Sequence, residues 1–135
     1  MKGFVFLSLF SVIIAGCGKG TQPEAACKVK ACTYQFASVT INFVNNADQP
    51  QNVNSFKAVN QRTGLDVEPS PSPLSSLHTF TIADDSKLSQ FSTDGDNILI
   101  TATANNQTKT AIVNIAGGCN CHVERKSGPQ TVKFD

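Results

Sequence analysis

The sequence predicts an all-β fold, an antiparallel β-sandwich of about seven strands. Thr, Ser, Asn and Val are abundant, whereas Leu, Glu and Lys are sparse, which is typical of strands and turns. From residue 33 onward, short runs with apolar residues at alternate positions recur, and turn residues separate them about every 8–12 residues. The chain lacks the crossover helices that a parallel α/β fold needs, so that class is excluded.

The first two strands are predicted over residues 33–44 and 53–61. The first has its apolar residues on one face and its polar residues on the other: Ala37, Val39, Ile41 and Phe43 against Ser38, Thr40 and Asn42. A period of two is typical of a half-buried strand. In the second strand, Phe56 and Ala58 are expected to point inward and Lys57 outward.

A long loop and a third strand are predicted next. Residues 68–73 carry a proline at every second position, which prevents regular strand pairing, so residues 66–76 are predicted to form a loop. The third strand is predicted over residues 77–83, with one face formed by His78, Phe80 and Ile82. At most one short helix is expected, near residues 85–91, because acidic and hydroxyl side chains at residues 84–86 can cap its first turn.

The last third of the chain predicts a hairpin and two more strands. The hairpin strands are residues 98–104 and 109–116, and residues 105–108 form the polar turn between them. Another strand is predicted to open at residues 119–123, and residues 131–134 close the chain.

Residues 4–17 predict where the chain is sent. A positive start, an apolar run over residues 4–15 and small residues after it form a secretory signal peptide. The run is shorter than the roughly 20 residues of a membrane-spanning helix. Ile14-Ala15-Gly16-Cys17 resembles the bacterial lipobox, in which the cysteine thiol receives a diacylglycerol, the chain is cut before it, and the new amine is acylated. Cys17 is therefore the expected lipid attachment site, and several acyl chains would give stable anchoring.

The predicted organisation is a signal peptide over residues 1–16, a flexible lipid-anchored tether over residues 17–26, and one β-sandwich domain over residues 27–135. Cleavage before Cys17 leaves 119 of the 135 residues, enough for a single domain with its own core. Without Lys2, 10 basic and 10 acidic side chains remain, and no run of like charge occurs. This balance gives no electrostatic basis for binding nucleic acid or an anionic membrane surface.

Four cysteines remain once Cys17 is assigned to lipid, and export makes disulfides available to them. Cys119 and Cys121 are predicted to lie two residues apart on one strand, where Cα atoms are about 6.5–7 Å apart and side chains point the same way. That separation is at or beyond the limit for a disulfide. Excluding this bridge also excludes its complement, Cys27–Cys32. We therefore predict two disulfides that join Cys27 and Cys32 to Cys119 and Cys121, and both ways of pairing remain open.

A metal or redox site made of these four thiols and His122 is the alternative. Structural zinc sites usually contain CxxC pairs, and redox thiols usually read CxxC beside a βαβ unit; the chain has neither. We therefore expect no metal and no cofactor. His78 is interpreted as a half-buried structural residue, and His122 is expected to pack beside the disulfides.

Four aspartates are candidate calcium ligands: Asp84, Asp85, Asp94 and Asp96. Their spacing does not match an EF-hand loop, and capping and turn formation explain them better. The chain has no Ser-His-Asp order, zinc-protease motif or phosphate-binding glycine loop. We therefore expect no enzymatic activity and assign no catalytic residue. Tryptophan is absent and Tyr34 is the single tyrosine, which disfavours an aromatic platform for carbohydrate.

Residues 31–46, 55–64 and 117–129 resemble short lipoproteins of Bacteroidetes-type bacteria. In that group an ACT…SVT strand opens a small sandwich of the immunoglobulin or transthyretin-like kind, and a C-C-H-V segment near the end closes it. The resemblance implies this fold and an envelope location, and it supplies no catalytic residues. In this chain Asn120 separates the two cysteines of that segment.

The same resemblance bears on the orientation at the membrane. In that group, acidic residues just after the lipid-bearing cysteine are associated with display on the outside of the cell. Residues 18–21 contain none. We therefore expect an outer-membrane lipoprotein that faces the periplasm, with display at the cell surface as the alternative.

The expected function is a membrane-anchored, non-catalytic binding or accessory module. Its partner is expected to contact the sheet edges or the loop over residues 66–76. The first alternative is a carbohydrate- or small-ligand-binding module of an uptake system. The second is a metal or redox role through the cysteines.

Overall fold

The protein is an all-β sandwich of two sheets, which confirms the predicted fold class. The structure, a computed structural model, describes residues 27–28, 30–67 and 78–135. The seven strands are β1 (Ser38–Val44), β2 (Ser55–Asn60), β3 (Thr79–Asp84), β4 (Asp96–Ala104), β5 (Gln107–Ala116), β6 (Glu124–Ser127) and β7 (Thr131–Lys133). One sheet has the order β3-β1-β7 and the other has the order β2-β4-β5-β6. The predicted signal peptide, the tether, and residues 68–76 of the predicted loop lie outside the described residues.

Strand β1 confirms the alternation read from the sequence. Val39, Ile41 and Phe43 are buried, and the intervening residues are exposed. Phe43 lies at the centre of the core, where its ring contacts those of Phe56, Phe80 and Phe134 with centroid separations of 5.7–6.1 Å. Such edge-on and tilted contacts add to the apolar area that the rings bury. The strand begins at Ser38, later than predicted, because residues 33–37 have no strand beside them.

The core lies between the two sheets and is built from the inward residues of both. Ala58 of β2 is buried as predicted, and Phe56 is partly buried against the core. On β3, Phe80 and Ile82 pack against or within the core, whereas His78 is half-buried and precedes the strand. The predicted short helix is present as a 3₁₀ helix over Asp85–Gln90. Its N-cap is Asp84, whose side chain accepts a hydrogen bond from the backbone N–H of Ser86.

The β4–β5 hairpin turns over two residues rather than the predicted four. Asn105 and Asn106 have φ angles of 50° and 60°, and Gln107 already pairs with Ala104. A two-residue turn with two positive φ angles matches the right-handed twist of the flanking strands, and Asn tolerates that conformation better than most residues. Thr108 therefore belongs to β5.

The sandwich contains one parallel strand pair, which the antiparallel prediction did not include. β7 runs parallel to β1, with Asn42, Phe43 and Val44 opposite Thr131, Val132 and Lys133. After β6 the chain crosses from the four-stranded sheet to the three-stranded sheet. Gly128, with φ of +99°, lies in this crossing. A crossing of this kind can bring β7 to β1 in either direction, and periodicity does not specify which.

The prediction that a strand opens at residues 119–123 is wrong. That segment forms turns and bends, and β6 begins at Glu124. The segment instead packs on the end of the 3₁₀ helix. The backbone N–H of Gly118 donates to the carbonyl of Leu88, and that of Cys119 donates to the hydroxyl of Thr93. In this segment, these two hydrogen bonds take the place of the backbone pairing that a strand would have made. Among the described residues, no helix has both the length and the apolar character needed to cross a bilayer.

Candidate functional site at the disulfide-bonded end

Two disulfides fix the start of the domain to the loop before β6. Cys27 is bonded to Cys119, and Cys32 is bonded to Cys121, with Cα separations of 5.2 and 5.3 Å. Both bridges run from the first cysteine group to the second, and the structure selects one of the two pairings that the sequence leaves open. Residues 119–121 are nevertheless not in a strand, so the strand spacing from which the pairing was predicted is wrong. The two bridges indicate an oxidising, non-cytoplasmic compartment.

Three side chains form a line of hydrogen bonds beside the second disulfide. The hydroxyl of Thr33 lies 2.9 Å from Nε2 of His122, and Nδ1 of the same ring lies 2.7 Å from Oδ2 of Asp85. Thr33 follows Cys32 in the chain and His122 follows Cys121, so the disulfide brings the two residues together. Asp85 comes from the first position of the 3₁₀ helix.

Asp85 is the anchor of this line. Its Oδ2 also accepts the backbone N–H of Ala37 at 2.8 Å, and its Oδ1 accepts that of Val123 at 2.8 Å. Burial by itself would raise the pKa of Asp85, but the bonds from Ala37, His122 and Val123 outweigh burial and lower the pKa below its ordinary value. The ionised carboxylate therefore accepts the Nδ1 hydrogen of His122 and joins the segment before β1 to the segment before β6.

A hydroxyl, an imidazole and a carboxylate in this order also form the nucleophilic site of many hydrolases. Acyl transfer needs, in addition, hydrogen-bond donors aimed at a developing oxyanion. In the described part of the chain, the hydroxyl of Thr33 has one hydrogen-bond contact, with His122. Both oxygens of Asp85 hold backbone N–H groups. The contacts of Thr33 with His122 and of Ala37 with Asp85 hold both ends of the segment over residues 33–37, so the arrangement is suited to positioning that segment.

The segment positioned in this way carries two exposed aromatic side chains. Tyr34 has a relative exposure of 109% and Phe36 one of 66%. Cys32 holds the segment at one end through its disulfide, and Ala37 holds it at the other through Asp85. These two exposed rings lie on a segment that is fixed at both ends, which we call the aromatic segment (residues 33–37).

Asp96, considered in the sequence as a calcium ligand, is instead buried in an internal polar network. Its carboxylate accepts hydrogen bonds from Nε of Arg62 at 2.7 Å, from Nδ2 of Asn60 at 2.8 Å and from the backbone N–H of Ser92 at 3.0 Å. Burial would raise the pKa of Asp96, but these bonds lower it to about 2. Asp94 is exposed. Of the four aspartates, Asp84 and Asp85 act in capping and in joining the two segments.

The other candidates from the sequence are not brought together into a site. The backbone carbonyl of His78 accepts the N–H of Phe43 near the end of β1, whereas Asp85 and His122 meet beside Ala37, which precedes that strand. Over the described ranges, no three His, Cys, Asp or Glu side chains come close enough to hold a metal ion.

The line of hydrogen bonds and the aromatic segment were not found from the sequence. Asp85 and His122 are separated by 37 residues, and Thr33 and His122 by 89. One sequence signal pointed to the contact between Thr33 and His122, because a Cys32–Cys121 disulfide would make the residues that follow the two cysteines neighbours. The sequence did not decide between this pairing and the other one, so the contact could not be predicted. Comparison with protein-family models, curated proteins and solved structures finds no match to this chain.

Proposed function

We propose that this protein is a lipid-anchored protein of the bacterial envelope whose sandwich binds a partner protein and catalyses no reaction. The observation that carries the proposal is the exposure of Tyr34 and Phe36 on the aromatic segment. Tyr is enriched among the residues that dominate binding energy at protein interfaces, and both Tyr and Phe are enriched in interfaces generally. Tyr34 is fully exposed and Phe36 is about two-thirds exposed, which leaves apolar area that a partner can remove from water.

The supports beneath the aromatic segment favour binding as its role. Ordering a mobile loop on association costs free energy, and a segment that is already held avoids much of that cost. Here a disulfide at Cys32, the Thr33–His122 hydrogen bond and the Asp85–Ala37 hydrogen bond hold the segment before any partner arrives. A structural segment alone would not require its two largest side chains to face water.

The proposed anchor is the lipid on Cys17, joined to the domain through the tether over residues 17–26. The domain begins at Cys27, which is bonded to Cys119, so any load on the tether is transferred to a covalently fixed point. The two disulfides fit an envelope location, and an outer-membrane position facing the periplasm is the expected one. The aromatic segment then lies at the tethered end of the domain, six to ten residues after Cys27 in the chain.

Site-specific photocrosslinking in the native envelope tests the proposal. A photoreactive phenylalanine analogue at Tyr34 or Phe36 is expected to give the same discrete crosslinked partner. The matched control is the same analogue at Thr110, an exposed residue of β5. The double variant Tyr34→Ala/Phe36→Ala should lose co-purification of that partner, whereas Thr110→Ala should retain it. Crosslinks that are equally frequent at all three positions would contradict the proposal.

A carbohydrate-binding module is the second candidate, since a fully exposed Tyr34 ring could stack on a sugar. A glycan array with the native chain and with Tyr34→Ala separates the two functions. Binding to a defined glycan that Tyr34→Ala abolishes would support the carbohydrate module. An array on which no glycan binds, together with a specific crosslinked protein, would support the partner-binding module.

A further inference from the structure

A groove opens between β1 and β6, two strands that belong to different sheets. Its volume is about 440 Å³. Ser38, Thr40 and Asn42 of β1 line one wall, Glu124 and Arg125 of β6 line the other, and Gln130 lies among the lining residues. The groove begins at Ser38, directly after the aromatic segment.

The wall formed by β1 is an open strand edge. β7 pairs with β1 only from Asn42 to Val44, and the N–H of Asn42 donates to the carbonyl of Gln130 at 2.9 Å. Alternate residues of a strand direct their backbone groups to the same side. Ser38 and Thr40 therefore point their N–H and C=O groups into the groove, where no strand of the described chain pairs with them.

The opposite wall is the free edge of β6, which pairs on its other side with β5. Proteins usually cover or block such edges, because unpaired backbone groups recruit other strands. In this structure the guanidinium of Arg125 donates to the carbonyl of Thr40 and thereby covers one acceptor. The N–H groups of Ser38 and Thr40 are left facing the groove.

Arg125 is a partly buried cation whose contacts are backbone carbonyls. Besides Thr40, it donates to the carbonyl of Pro129. Over residues 27–28, 30–67 and 78–135, no carboxylate forms an ion pair with it, and the adjacent Glu124 pairs with Lys126 instead. Burial lowers the pKa of Arg125. A guanidinium presents five donors in a planar fork that matches a carboxylate, so donors remain available here.

We propose that the groove binds an extended acidic segment of a partner protein, which adds as a strand to the edge of β1 at Ser38 and Thr40 and places a carboxylate on Arg125. Free backbone donors select an extended chain, because an extended chain still has unpaired carbonyl groups along its edge, whereas a helix has used its own within itself. The guanidinium without an ion-pair partner selects an acidic side chain or a C-terminal carboxylate. The edge from Ser38 to Asn42 spans about 13 Å, room for roughly four residues of the added strand.

This inference rests on the proposed function, since it names the kind of segment that the partner would offer. The aromatic segment leads directly into β1, so one extended chain could contact Phe36 and then pair with Ser38 and Thr40. The two surfaces can nevertheless be tested separately. Residues 34 and 36 carry the apolar contact, and Arg125 carries the ionic one.

The test uses the full chain, purified in detergent with both disulfides intact, and a display library of random linear peptides as the probe. We expect the selected peptides to share an acidic residue. A synthetic copy of one peptide is then N-methylated at alternate amides in two complementary sets. Methylation of the set that faces β1 should abolish binding, whereas methylation of the other set should change affinity little, because alternate amides of a strand face opposite sides.

Arg125→Gln should weaken the peptide by about tenfold or more, and Lys126→Gln, its neighbour on the same strand, should not. Replacing the acidic residue of the peptide by its amide should have a large effect on the native chain and little on Arg125→Gln. Circular dichroism of each variant establishes that the sandwich is retained.

Three results would overturn the proposal: a selection that yields no binding peptide, binding that is indifferent to which amides are methylated, or binding that Arg125→Gln leaves unchanged. Peptides that depend on Tyr34 and Phe36 but not on Arg125 would overturn the groove and leave the proposed function standing. Peptides that bind the groove, together with a photocrosslinker at residues 34 and 36 that finds no partner, would overturn the proposed function of the aromatic segment and leave the groove standing.

Discussion

The carboxylate of Asp85 lies 2.7 Å from Nδ1 of His122, although 37 residues separate them in the chain. Through this contact, the 3₁₀ helix, the loop that contains Cys121 and the segment before β1 become one unit. Asp85 completes the unit with the backbone N–H groups of Ala37 and Val123. The aromatic segment is exposed and yet fixed because of this unit and the disulfide next to it.

Asp85→Ala is expected to lower the free energy of unfolding by about 2–3 kcal/mol, because the N–H groups of Ala37 and Val123 lose a charged acceptor. Urea unfolding followed by far-ultraviolet circular dichroism measures the change. Asp48→Asn is the control, since Asp48 forms an exposed ion pair with Lys133 and Asn tolerates its positive φ of 58°, so the change should cost less than about 1 kcal/mol. Equal losses for the two variants would argue against Asp85 as an anchor.

Stability is expected to fall in acid because of Asp96. The pKa of its carboxyl is about 2 in the folded chain, against an ordinary value of 3.8. The unfolded chain therefore takes up the proton first as the pH falls. The stabilisation, about 2 kcal/mol, is complete above about pH 5 and is lost between about pH 4 and pH 2.

Asp96→Asn should be less stable than the native chain at neutral pH and should lose less stability over that acid range. Urea midpoints measured at intervals from pH 7 to pH 2 provide the comparison. A variant whose stability falls with pH as steeply as that of the native chain would exclude Asp96 as the source.

Removing one disulfide is expected to cost much less than removing both. A single bridge closes a loop of about 90 residues, which in the chain-entropy model contributes about 5 kcal/mol. With Cys27–Cys119 in place, the bridge Cys32–Cys121 closes a ring of only roughly seven residues and adds about 2 kcal/mol.

Either paired Cys→Ala variant should therefore lose about 2 kcal/mol, and the variant without both bridges about 7 kcal/mol. Urea unfolding under non-reducing conditions measures each value, with the reduced native chain as a check on the last. Two equal and additive losses of about 5 kcal/mol would show that the bridges do not constrain the same loop.

Gly117→Ala is expected to destabilise the loop that carries Cys119 and Cys121. A Cβ at Gly117 would lie 2.6 Å from the carbonyl oxygen of Leu88 and 2.9 Å from Cβ of Phe91. Both atoms belong to the fixed end of the 3₁₀ helix, so the loop must move and the expected loss is about 1–3 kcal/mol. Thermal unfolding checks this against Ser127→Ala, an exposed substitution expected to be nearly neutral.

Cys17→Ala is expected to abolish lipid attachment and membrane association completely, because the thiol is the predicted acceptor of the diacylglycerol. Metabolic labelling with palmitate and detergent-phase partitioning in a bacterial host measure both properties. Ser11→Ala, in the apolar run before the cysteine, should retain the label. An unlabelled native chain, or a labelled Cys17→Ala, would contradict the predicted anchor.

Much of the fold could be read from local pattern. The burial of Val39, Ile41 and Phe43 follows from the two-residue period of a strand, which every stretch of sequence carries for itself. The 3₁₀ helix follows from an aspartate cap of the same local kind. The length of the β4–β5 turn was missed, because Gln107 and Thr108 are polar and nothing local separates a polar turn from the exposed end of a strand.

The candidate site could be predicted only in part, because its contacts join distant segments. The sequence limited the disulfides to two pairings by an argument about strand geometry, and the loop containing Cys119 and Cys121 does not form that strand. Asp85 could be recognised as a capping residue, but its meeting with His122 depends on how the 3₁₀ helix and that loop pack. Exposure of Tyr34 also depends on what the rest of the chain leaves uncovered.

The sequence by itself determined the all-β class and the strands with clear alternation. It also determined that disulfides join the cysteines at the start of the domain to those near its end, and it predicts the anchor at Cys17. These depend on residue type and spacing, which act over a few residues. Only the tertiary structure decided the pairing of Cys32 with Cys121, the parallel approach of β7 to β1 and the open edge at Ser38 and Thr40. These depend on how the two sheets pack and where the chain crosses between them, and local preference does not determine either.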